Sequence, residues 1–286
     1  MLSRRLHNRR TFLGLGAGVG LACVGTALYM HYIEPFRLQL RQLSVRLRHA
    51  PAGRPLRLLH LSDLHHSDPP ALQRIRRAIR MGLEAGPDLA CITGDFITAD
   101  LLQPDALAVA LRELSDRVPT YACLGNHDAG PWAAQRGGHL QIAEMRAFLA
   151  RAGIQCLFNE ACTVHVAEQE LVLVGVGDLL AGDCDPARAF RGLPAGSRLR
   201  LVLCHNPDAK ERLAPYAWDL MLCGHTHGGQ LCLPLLGTPF APIRDHRYVA
   251  GLHEWSGRLL YVTRGVGNVH GLRLNCPPEL ALLTLS

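Results

Sequence analysis

Five runs of apolar residues, each ending in polar side chains, recur along the chain after residue 55. They are LRLLHLSDLH at 56–65, DLACITGD at 88–95, PTYACLGNHD at 119–128, RLVLCHNPD at 200–208 and WDLMLCGHTH at 218–227. Continuous apolar runs of this length are typical of β-strands that are covered on both faces. The segment 36–49, whose second half alternates polar and apolar residues before the turn PAGRP, predicts one more strand.

Helical periodicity lies between several of these runs. Within residues 69–85 four apolar side chains recur on one helical face, and Gly86 provides a stop signal. Residues 104–117 and 140–152 have similar patterns, and Gly153 closes the second. The mixture of strands and helices predicts an α/β fold. The polar side chains that follow the apolar runs would then lie at the carboxyl edge of a sheet, where open α/β folds place their ligand-binding and catalytic sites.

The N-terminal segment has a different character. Residues 11–33 are an uncharged stretch of 23 residues behind a basic start that ends at Arg10. The stretch is long enough to span a bilayer of ~30 Å, and residues 8–13 resemble a twin-arginine export signal. We therefore expect residues 1–34 to be a signal or membrane anchor. Export predicts the periplasmic side of a bacterial inner membrane, whereas the arginines that follow the stretch favour its cytoplasmic face.

Charge and cysteine positions limit the classes of function. Residues 1–58 carry ten arginines and one acidic residue, a net charge of +9, whereas residues 59–286 have a net charge of −3. A slightly acidic main domain argues against a nucleic-acid partner. None of the ten cysteines forms a CxxC pair. Those inside apolar runs are interpreted as buried side chains, so thiolate metal ligands and a disulfide framework are not expected.

The polar residues after the apolar runs are candidate metal ligands. Seven of them carry a carboxylate, imidazole or amide group: Asp63, His65, Asp95, Asn126, His205, His225 and His227. Such mixed oxygen and nitrogen ligands suit Mn, Zn, Fe, Co or Ni rather than Ca. Residues two apart on an extended segment point the same way, which predicts that Asp63 and His65 face one point and that His225 and His227 face one point. Seven ligands exceed the need of one tetrahedral ion, and two ions that share a bridging carboxylate fit the number.

Taken in order, these residues resemble the signature of the calcineurin-like metallophosphoesterases. The motifs are Asp63-Leu-His65, Gly94-Asp95, Gly125-Asn126-His127-Asp128, His205 and Gly224-His225-Thr226-His227. The resemblance covers about residues 56–275, and stretches such as HNPD and PFAP are similar to the YaeI-type bacterial phosphodiesterases. It implies one catalytic domain over 35–286, built as a four-layer α/β/β/α sandwich with two mixed sheets.

The resemblance also implies a role for each site residue. One divalent ion, with Mn expected, would be held by Asp63, His65 and His227, and the second by Asn126, His205 and His225, with Asp95 bridging both. The ions would activate a water for attack on a phosphodiester. His127 would stabilise or protonate the leaving oxygen, and Asp128 would orient its ring. His66 is a candidate substrate contact.

Three functions remain open at this point. The first is a two-metal phosphodiesterase whose natural diester is unknown. The second is a lipid-linked pyrophosphatase of the kind that cleaves UDP-2,3-diacylglucosamine in lipid A synthesis, which a membrane anchor favours and an export signal disfavours. The third is a non-catalytic scaffold, against which the complete ligand set argues. The sequence does not decide the oligomeric state.

Several further residues have two interpretations. Residues 229–255 are predicted to form a loop and hairpin beside the site, where Phe240 and Tyr248 belong either to the core or to an acyl-chain contact. Four arginines are candidates for binding a second anionic group or for ordinary surface pairs: Arg244, Arg247, Arg264 and Arg273. Thr98 and Ala99 stand where purple acid and protein phosphatases carry other residues, which disfavours both classes.

Overall fold

Two six-stranded mixed sheets form the body of the molecule. The structure is a computed structural model that describes residues 20, 22–50, 53–67, 69–139, 141–193, 198–269 and 271–286. Its strands in chain order are β1 Gln39–Val45, β2 Leu56–Leu61, β3 Leu89–Thr93, β4 Thr120–Cys123, β5 Gln155–Cys156, β6 Glu160–Val166, β7 Gln169–Gly175, β8 Arg200–Leu203, β9 Leu220–Cys223, β10 Gly251–Trp255, β11 Arg258–Val262 and β12 Glu279–Leu285. The first sheet has the order β1-β12-β2-β3-β4-β5, and the second has the order β10-β11-β9-β8-β7-β6.

Among the described residues the helices are fewer than the strands. They are α1 at 22–32, α2 Pro69–Glu84, α3 Pro104–Ser115, α4 Pro131–Ala134, α5 Ile142–Arg151 and α6 Pro186–Ala189, joined by 3-10 turns at Glu34–Phe36, Pro207–Glu211, His227–Gly229 and His246–Tyr248. Helices α4 and α6 have only four residues each. Gly86 and Gly153, which follow α2 and α5, have φ of +65° and +71°. A left-handed residue after the last turn ends a helix, as the sequence predicts at both positions.

Three apolar layers hold the two sheets and the helices together. The central layer lies between the sheets and contains residues such as Leu58 and Leu222. A second layer packs the first sheet against α2, α3 and α5. The third layer covers the outer face of the second sheet with Trp218 and with residues from α6 and the turn Pro207–Glu211. The outer helical layer of the second sheet is therefore thin, because short turns replace the full helices that a symmetric sandwich would have.

Strand pairing explains why the polar strand ends meet. Strands β2, β3 and β4 are parallel neighbours in the first sheet, and β7, β8, β9 and β11 are parallel neighbours in the second. All of the predicted apolar runs contain one of these strands, but each strand stops before the polar residues begin. The hairpin predicted within residues 229–255 is formed by β10 and β11, so it begins only near the end of that range.

The N-terminal region is only partly described. Residues 8–13, where the twin-arginine-like motif lies, fall outside the described residues. Among the residues that are described, no helix is both long enough and apolar enough to cross a membrane. Helix α1 contacts the body at its carboxyl end, where the amide of Arg273 donates to the carbonyl of Met30 at 3.0 Å and the ring of His31 bonds to the carbonyl of Gly271 at 2.8 Å.

Candidate metal centre

The carboxyl ends of both sheets converge on one cluster of buried side chains. Among the described residues, two groups can each hold a metal ion: the first is Asp63, His65 and His227, and the second is Asp95, His205 and His225. Within each group the potential ligand atoms lie within 4.8 Å of one another. The first sheet supplies the carboxylates and the second supplies three of the four histidines, so neither sheet alone forms the cluster.

In the first group, three potential ligand atoms face one point. His65 Nε2 lies 3.0 Å from His227 Nε2, and Asp63 Oδ1 lies 3.4 Å from His227 Nε2. Burial lowers the pKa of His65 to about 3 and that of His227 well below its usual value. Both imidazoles are therefore neutral near pH 7, which is the form that binds metal.

The carboxylate of Asp95 connects the two groups. Its Oδ2 lies 3.5 Å from His65 Nε2 in the first group and 3.0 Å from His205 Nε2 in the second. Its Oδ1 accepts a hydrogen bond from the amide of His127 at 2.9 Å. Burial favours a neutral Asp95, but its histidine neighbours, above all His205, lower its pKa well below the usual value. An ionised oxygen therefore faces both groups.

In the second group, the surroundings of His205 favour a positive charge. Its Nδ1 donates to the carbonyl of Thr93 at 2.7 Å, so Nε2 is the atom that faces Asp95. Burial opposes protonation of His205, but Asp95 and Asp63 outweigh it and raise the pKa well above the usual value. The carboxylates of Asp95 and Asp63, which favour a proton on His205, would equally favour a metal cation at this place.

Asn126 lies beside the second group, as its place after β4 predicts. It is buried, and its side-chain Oδ1 has no hydrogen-bond partner. Buried polar atoms nearly always have a partner, so an orphaned carbonyl oxygen is the expected mark of a ligand to an ion. Together with the orientation of His205, this oxygen shows that the residues present fit a metal ion.

The backbone at the cluster is not extended. Five candidate ligands have a positive φ: Asp63 at 53°, His65 at 45°, Asp95 at 54°, His225 at 69° and His227 at 50°. The prediction that Asp63 and His65 point alike because they lie on an extended segment is therefore wrong, although the two side chains do meet. The same prediction for His225 and His227 is also wrong, because the two imidazoles belong to different groups. Left-handed turns after the strands, rather than strand periodicity, bring these side chains to one place.

Close backbone approach leaves room only for glycine at several positions. A Cβ at Gly224 would overlap Ser62 Oγ and Asp63 Oδ2, and a Cβ at Gly125 would overlap Asp95 Oδ1. The amide of His225, next to Gly224, donates to Asp63 Oδ1 at 3.0 Å. Gly224 thus allows the two sheets to approach at the cluster, and Gly125 allows the turn after β4 to approach the turn after β3.

His127 borders the cluster and lines a cavity of about 590 Å³ above it. Its ring makes edge contacts with His65 and Trp132, at centroid distances of 5.0 Å and 4.8 Å. Its Nδ1 donates to the carbonyl of Thr98 at 2.6 Å. Nε2 is therefore the ring atom that remains for a substrate.

Asp128 does not orient His127, contrary to the role that the resemblance implied. Its carboxylate accepts hydrogen bonds from the amides of Asp95, Phe96 and Gly125, at 2.8 Å, 2.7 Å and 2.9 Å. The carboxylate therefore holds the turns after β3 and β4 against each other. The partner of the His127 ring is a backbone carbonyl, which sequence motifs do not reveal.

Two other predicted contacts lie elsewhere. His66 is buried beside Ile97, with which it forms an isolated β-bridge, and it does not line the cavity. Arg273 is fully buried and donates to the carbonyls of Gly267 and Arg264 at 2.7 Å and 2.9 Å, so it is not a surface anion site.

The cavity contains residues that the motifs did not indicate. Its lining includes Trp132, Arg136 and Gln230, and the guanidinium of Arg136 lies 3.8 Å from the centroid of the Trp132 ring. Phe240 also lines the cavity, whereas Tyr248 is buried in the third apolar layer. Trp132 and Arg136 follow no predicted strand, so position in the sequence gave no signal for them, whereas Gln230 and Phe240 fall in the segment 229–255 that was predicted to lie beside the site.

Comparison with known proteins agrees with this geometry. Residues 56–229 match the family described as calcineurin-like phosphoesterase. The chain is 44% identical to the phosphodiesterase YaeI of Escherichia coli K12 over the full length of both proteins. It is 29% identical to the UDP-2,3-diacylglucosamine pyrophosphatase LpxG of Chlamydia trachomatis, over 92% of this chain and 93% of that protein. It is also 29% identical to the metallophosphoesterase YkuE of Bacillus subtilis, over 99% and 98% of the two chains. The chain therefore belongs to the calcineurin-like phosphoesterase family.

Proposed function

We propose that this protein is a phosphodiesterase that works with two divalent cations held between its two sheets. The observation that carries the proposal is the position of Asp95 Oδ2, within 3.5 Å of a histidine from each ligand group. One ion would be held by Asp63, His65 and His227, the other by His205, His225 and Asn126, with Asp95 shared. We expect manganese, while Zn, Fe, Co and Ni suit the same ligands.

When bound, two such ions supply an activated water and neutralise the oxygens of a phosphate. The residues of the chain then orient the His127 ring toward the leaving oxygen. Asp95 holds the amide of His127, and the carbonyl of Thr98 holds its Nδ1, so the ring has one orientation. His127 Nε2 faces the cavity and either donates a proton to the leaving oxygen or stabilises its charge.

The full-length similarity to a protein named phosphodiesterase favours a diester over a monoester substrate. The test uses the full chain, stripped of metal with a chelator and reloaded with Mn²⁺. We expect hydrolysis of bis-p-nitrophenyl phosphate that requires the metal and exceeds hydrolysis of p-nitrophenyl phosphate. Preference for the monoester, or no cleavage of either ester by protein that has bound two ions, would contradict the proposal.

The lipid-linked pyrophosphatase function is the second candidate. It draws support from the similarity to LpxG and from the apolar part of the cavity lining, which includes Leu231 and Val269. A direct assay with UDP-2,3-diacylglucosamine distinguishes this pyrophosphate from simple diesters. The complete ligand set continues to argue against a non-catalytic scaffold.

We further propose that the protein acts at the bacterial inner membrane, attached through residues 1–34. The uncharged stretch 11–33 and the motif at 8–13 support this location, with the periplasmic side favoured and the cytoplasmic face as the alternative. Protease protection of a tagged chain in spheroplasts decides between the two sides. The negative net charge of residues 59–286 gives no reason to expect a nucleic-acid partner.

A further inference from the structure

The catalytic cavity is polar on its floor and apolar toward its mouth. The floor carries Asp95, Asn126 and the site histidines, whereas the lining also includes a set of large apolar residues: Trp132, Leu180, Leu231, Phe240, Val269 and Leu272. Several of these are also exposed to solvent, Phe240 by 66%. A small hydrophilic diester would need only the floor. The apolar part suits a substrate with an apolar group attached to its phosphate.

Two leucines stand at the tip of a hydrogen-bonded turn close in the chain to Phe240. The amide of Leu233 donates to the carbonyl of Gly237 at 2.7 Å, and the amide of Gly237 donates back at 2.9 Å. Between them Leu235 and Leu236 are 106% and 72% exposed. Leu235 has a φ of 67°, a left-handed conformation that bulky residues rarely adopt. The turn therefore projects two leucine side chains away from the protein, although the backbone of Leu235 is strained. Such an arrangement indicates that an apolar medium, rather than water, surrounds them.

Hydrogen bonds join this turn to the segment that carries Leu272. The amide of Cys232 donates to the carbonyl of Leu274 at 2.9 Å, and the amide of Leu274 donates to the carbonyl of Gln230 at 2.9 Å. The side chain of Asn275 donates to the carbonyl of Cys232 at 3.0 Å. The turn and one wall of the cavity are thus parts of the same small framework.

Helix α1 is attached to the other side of that framework. Its residues Met30 and His31 bond to Arg273 and Gly271, the residues on either side of Leu272. Every residue from 22 to 28 is exposed, including Val24 by 58% and Leu28 by 52%. The uncharged stretch 11–33 therefore ends at the rim of the catalytic cavity.

We infer that this rim, defined by α1, Leu235, Leu236, Phe240 and Leu272, lies in a lipid layer. The protein would take its substrate from that layer, as a phosphodiester or pyrophosphate ester with a long alkyl chain. The alkyl chain would lie along the apolar wall while the phosphate reaches the metal ligands. This inference rests on the proposed function and specifies the substrate class for the same site.

The first arm of the test compares two diesters that differ only in the alkyl group, ethyl p-nitrophenyl phosphate and hexadecyl p-nitrophenyl phosphate. The full chain with Mn²⁺ in detergent micelles should cleave the hexadecyl ester with at least tenfold higher kcat/KM. Phe240→Ser should reduce that ratio at least fivefold. Val109→Ser is the matched control, because Val109 is 55% exposed on α3 and does not line the cavity; it should leave the ratio unchanged.

The second arm measures depth in proteoliposomes that contain bromine-labelled lipids. Leu236→Trp should add fluorescence that bromine high in the acyl chains quenches, whereas Val109→Trp should add fluorescence that is not quenched. Equal kcat/KM for the two esters, together with unquenched added fluorescence in the Leu236→Trp variant, would overturn the inference. A second copy of this chain that covers the rim instead would also contradict it, and would appear as absent quenching in that variant together with a dimeric protein.

The two proposals fail in different ways. Loss of the phosphodiesterase proposal would appear as no cleavage of either ester by metal-loaded protein, and the depth measurement would still decide whether the rim lies in lipid. Loss of the lipid inference alone would appear as cleavage of both esters with equal kcat/KM, unchanged by Phe240→Ser, together with unquenched added fluorescence in the Leu236→Trp variant.

Discussion

The strained backbone of the candidate ligands is the main feature of the site at the scale of single residues. A non-glycine residue with a positive φ costs of the order of 1–3 kcal/mol, and five such residues meet here. Surrounding contacts must hold them in place, and Asp128 is one source, because its carboxylate accepts three amide hydrogen bonds from the turns after β3 and β4 at 2.9 Å or less.

Replacing Asp128 by Asn tests that interpretation. Burial raises the pKa of Asp128 to about 7, so the comparison is made at about pH 8.5, where the carboxylate is ionised. The variant keeps one acceptor oxygen and loses the charge, so we expect a loss of unfolding free energy on the order of 3 kcal/mol and weaker metal binding. Urea unfolding and metal titration measure the two effects. Asp116→Asn, at an exposed position after α3, is the control and should change the stability by less than about 0.5 kcal/mol. A stable Asp128 variant that binds metal normally would contradict this role.

His127 has a separate, chemical role in the proposed function. Its replacement by Ala should leave both ions bound, because its ring belongs to neither ligand group, and should lower kcat on bis-p-nitrophenyl phosphate by about 10²–10⁴-fold. Metal content and turnover are measured on the same sample. Loss of an ion from the variant would instead make His127 a ligand.

At the scale of secondary structure, the approach of β2 and β9 depends on Gly224. A Cβ there would overlap Ser62 and Asp63, so Gly224→Ala should displace the Asp63 carboxylate. The Mn²⁺ affinity of the first ligand group should then fall at least tenfold. Gly86→Ala is the control. Gly86 has a φ of +65° and open space around it, so its variant should lose about 1 kcal/mol of stability and keep its metal affinity. Isothermal titration with Mn²⁺ compares them, and equal affinities would refute the steric argument.

The sequence predicted those strands and helices that have a clear apolar pattern and a clear end signal. The central strands and the three long helices follow from apolar runs, helical periodicity and glycine stops. Strand β6 was not predicted, because its half-buried edge sequence EACTVHV has no clear alternation. Strand β7 was not predicted although QELVLVG is nearly all buried, because no candidate ligand follows it. Strand β12 was not predicted either, although ELALLTL is nearly all buried, because no candidate ligand follows it.

The site was predictable in its residues and not in its geometry. Order and type of the polar residues identified the cluster, since each follows an apolar run. The left-handed turns, the carbonyl partner of His127 and the position of Arg136 beside Trp132 depend on tertiary contacts. No local pattern in the chain encodes them.

At the scale of the whole molecule, the interface between the sheets contains a buried titratable group, His60. Its ring bonds to Thr93 Oγ1 at 2.8 Å and lies 5.8 Å from the ring of Tyr261 in the other sheet. Burial lowers its pKa to about 3 from an ordinary value of 6.5. The folded state therefore excludes a proton that the unfolded chain binds below pH 6.5.

His60 should accordingly make the protein acid-sensitive. Stability is fully present above about pH 6.5 and falls as the pH drops toward 3, with a contribution from this residue of about 1.4 kcal/mol per pH unit. His60→Gln should unfold less steeply with pH over that window, because an amide binds no proton. Urea unfolding of the metal-free proteins at pH 7, 6, 5 and 4 gives the comparison, and parallel curves would show that His60 does not contribute.

The two sheets meet around one carboxylate, Asp95, which lies within reach of both ligand groups. The role of Asp95 as a shared ligand is tested by counting the manganese ions bound to the full-length wild-type chain and to its Asp95→Asn variant, with Asp88→Asn as control. Asp88 pairs with Arg54 outside the cluster. We expect two ions per chain in the wild type and in the control, and loss of both ions together with diesterase activity in the Asp95 variant. An Asp95→Asn protein that keeps two ions or full activity would contradict it.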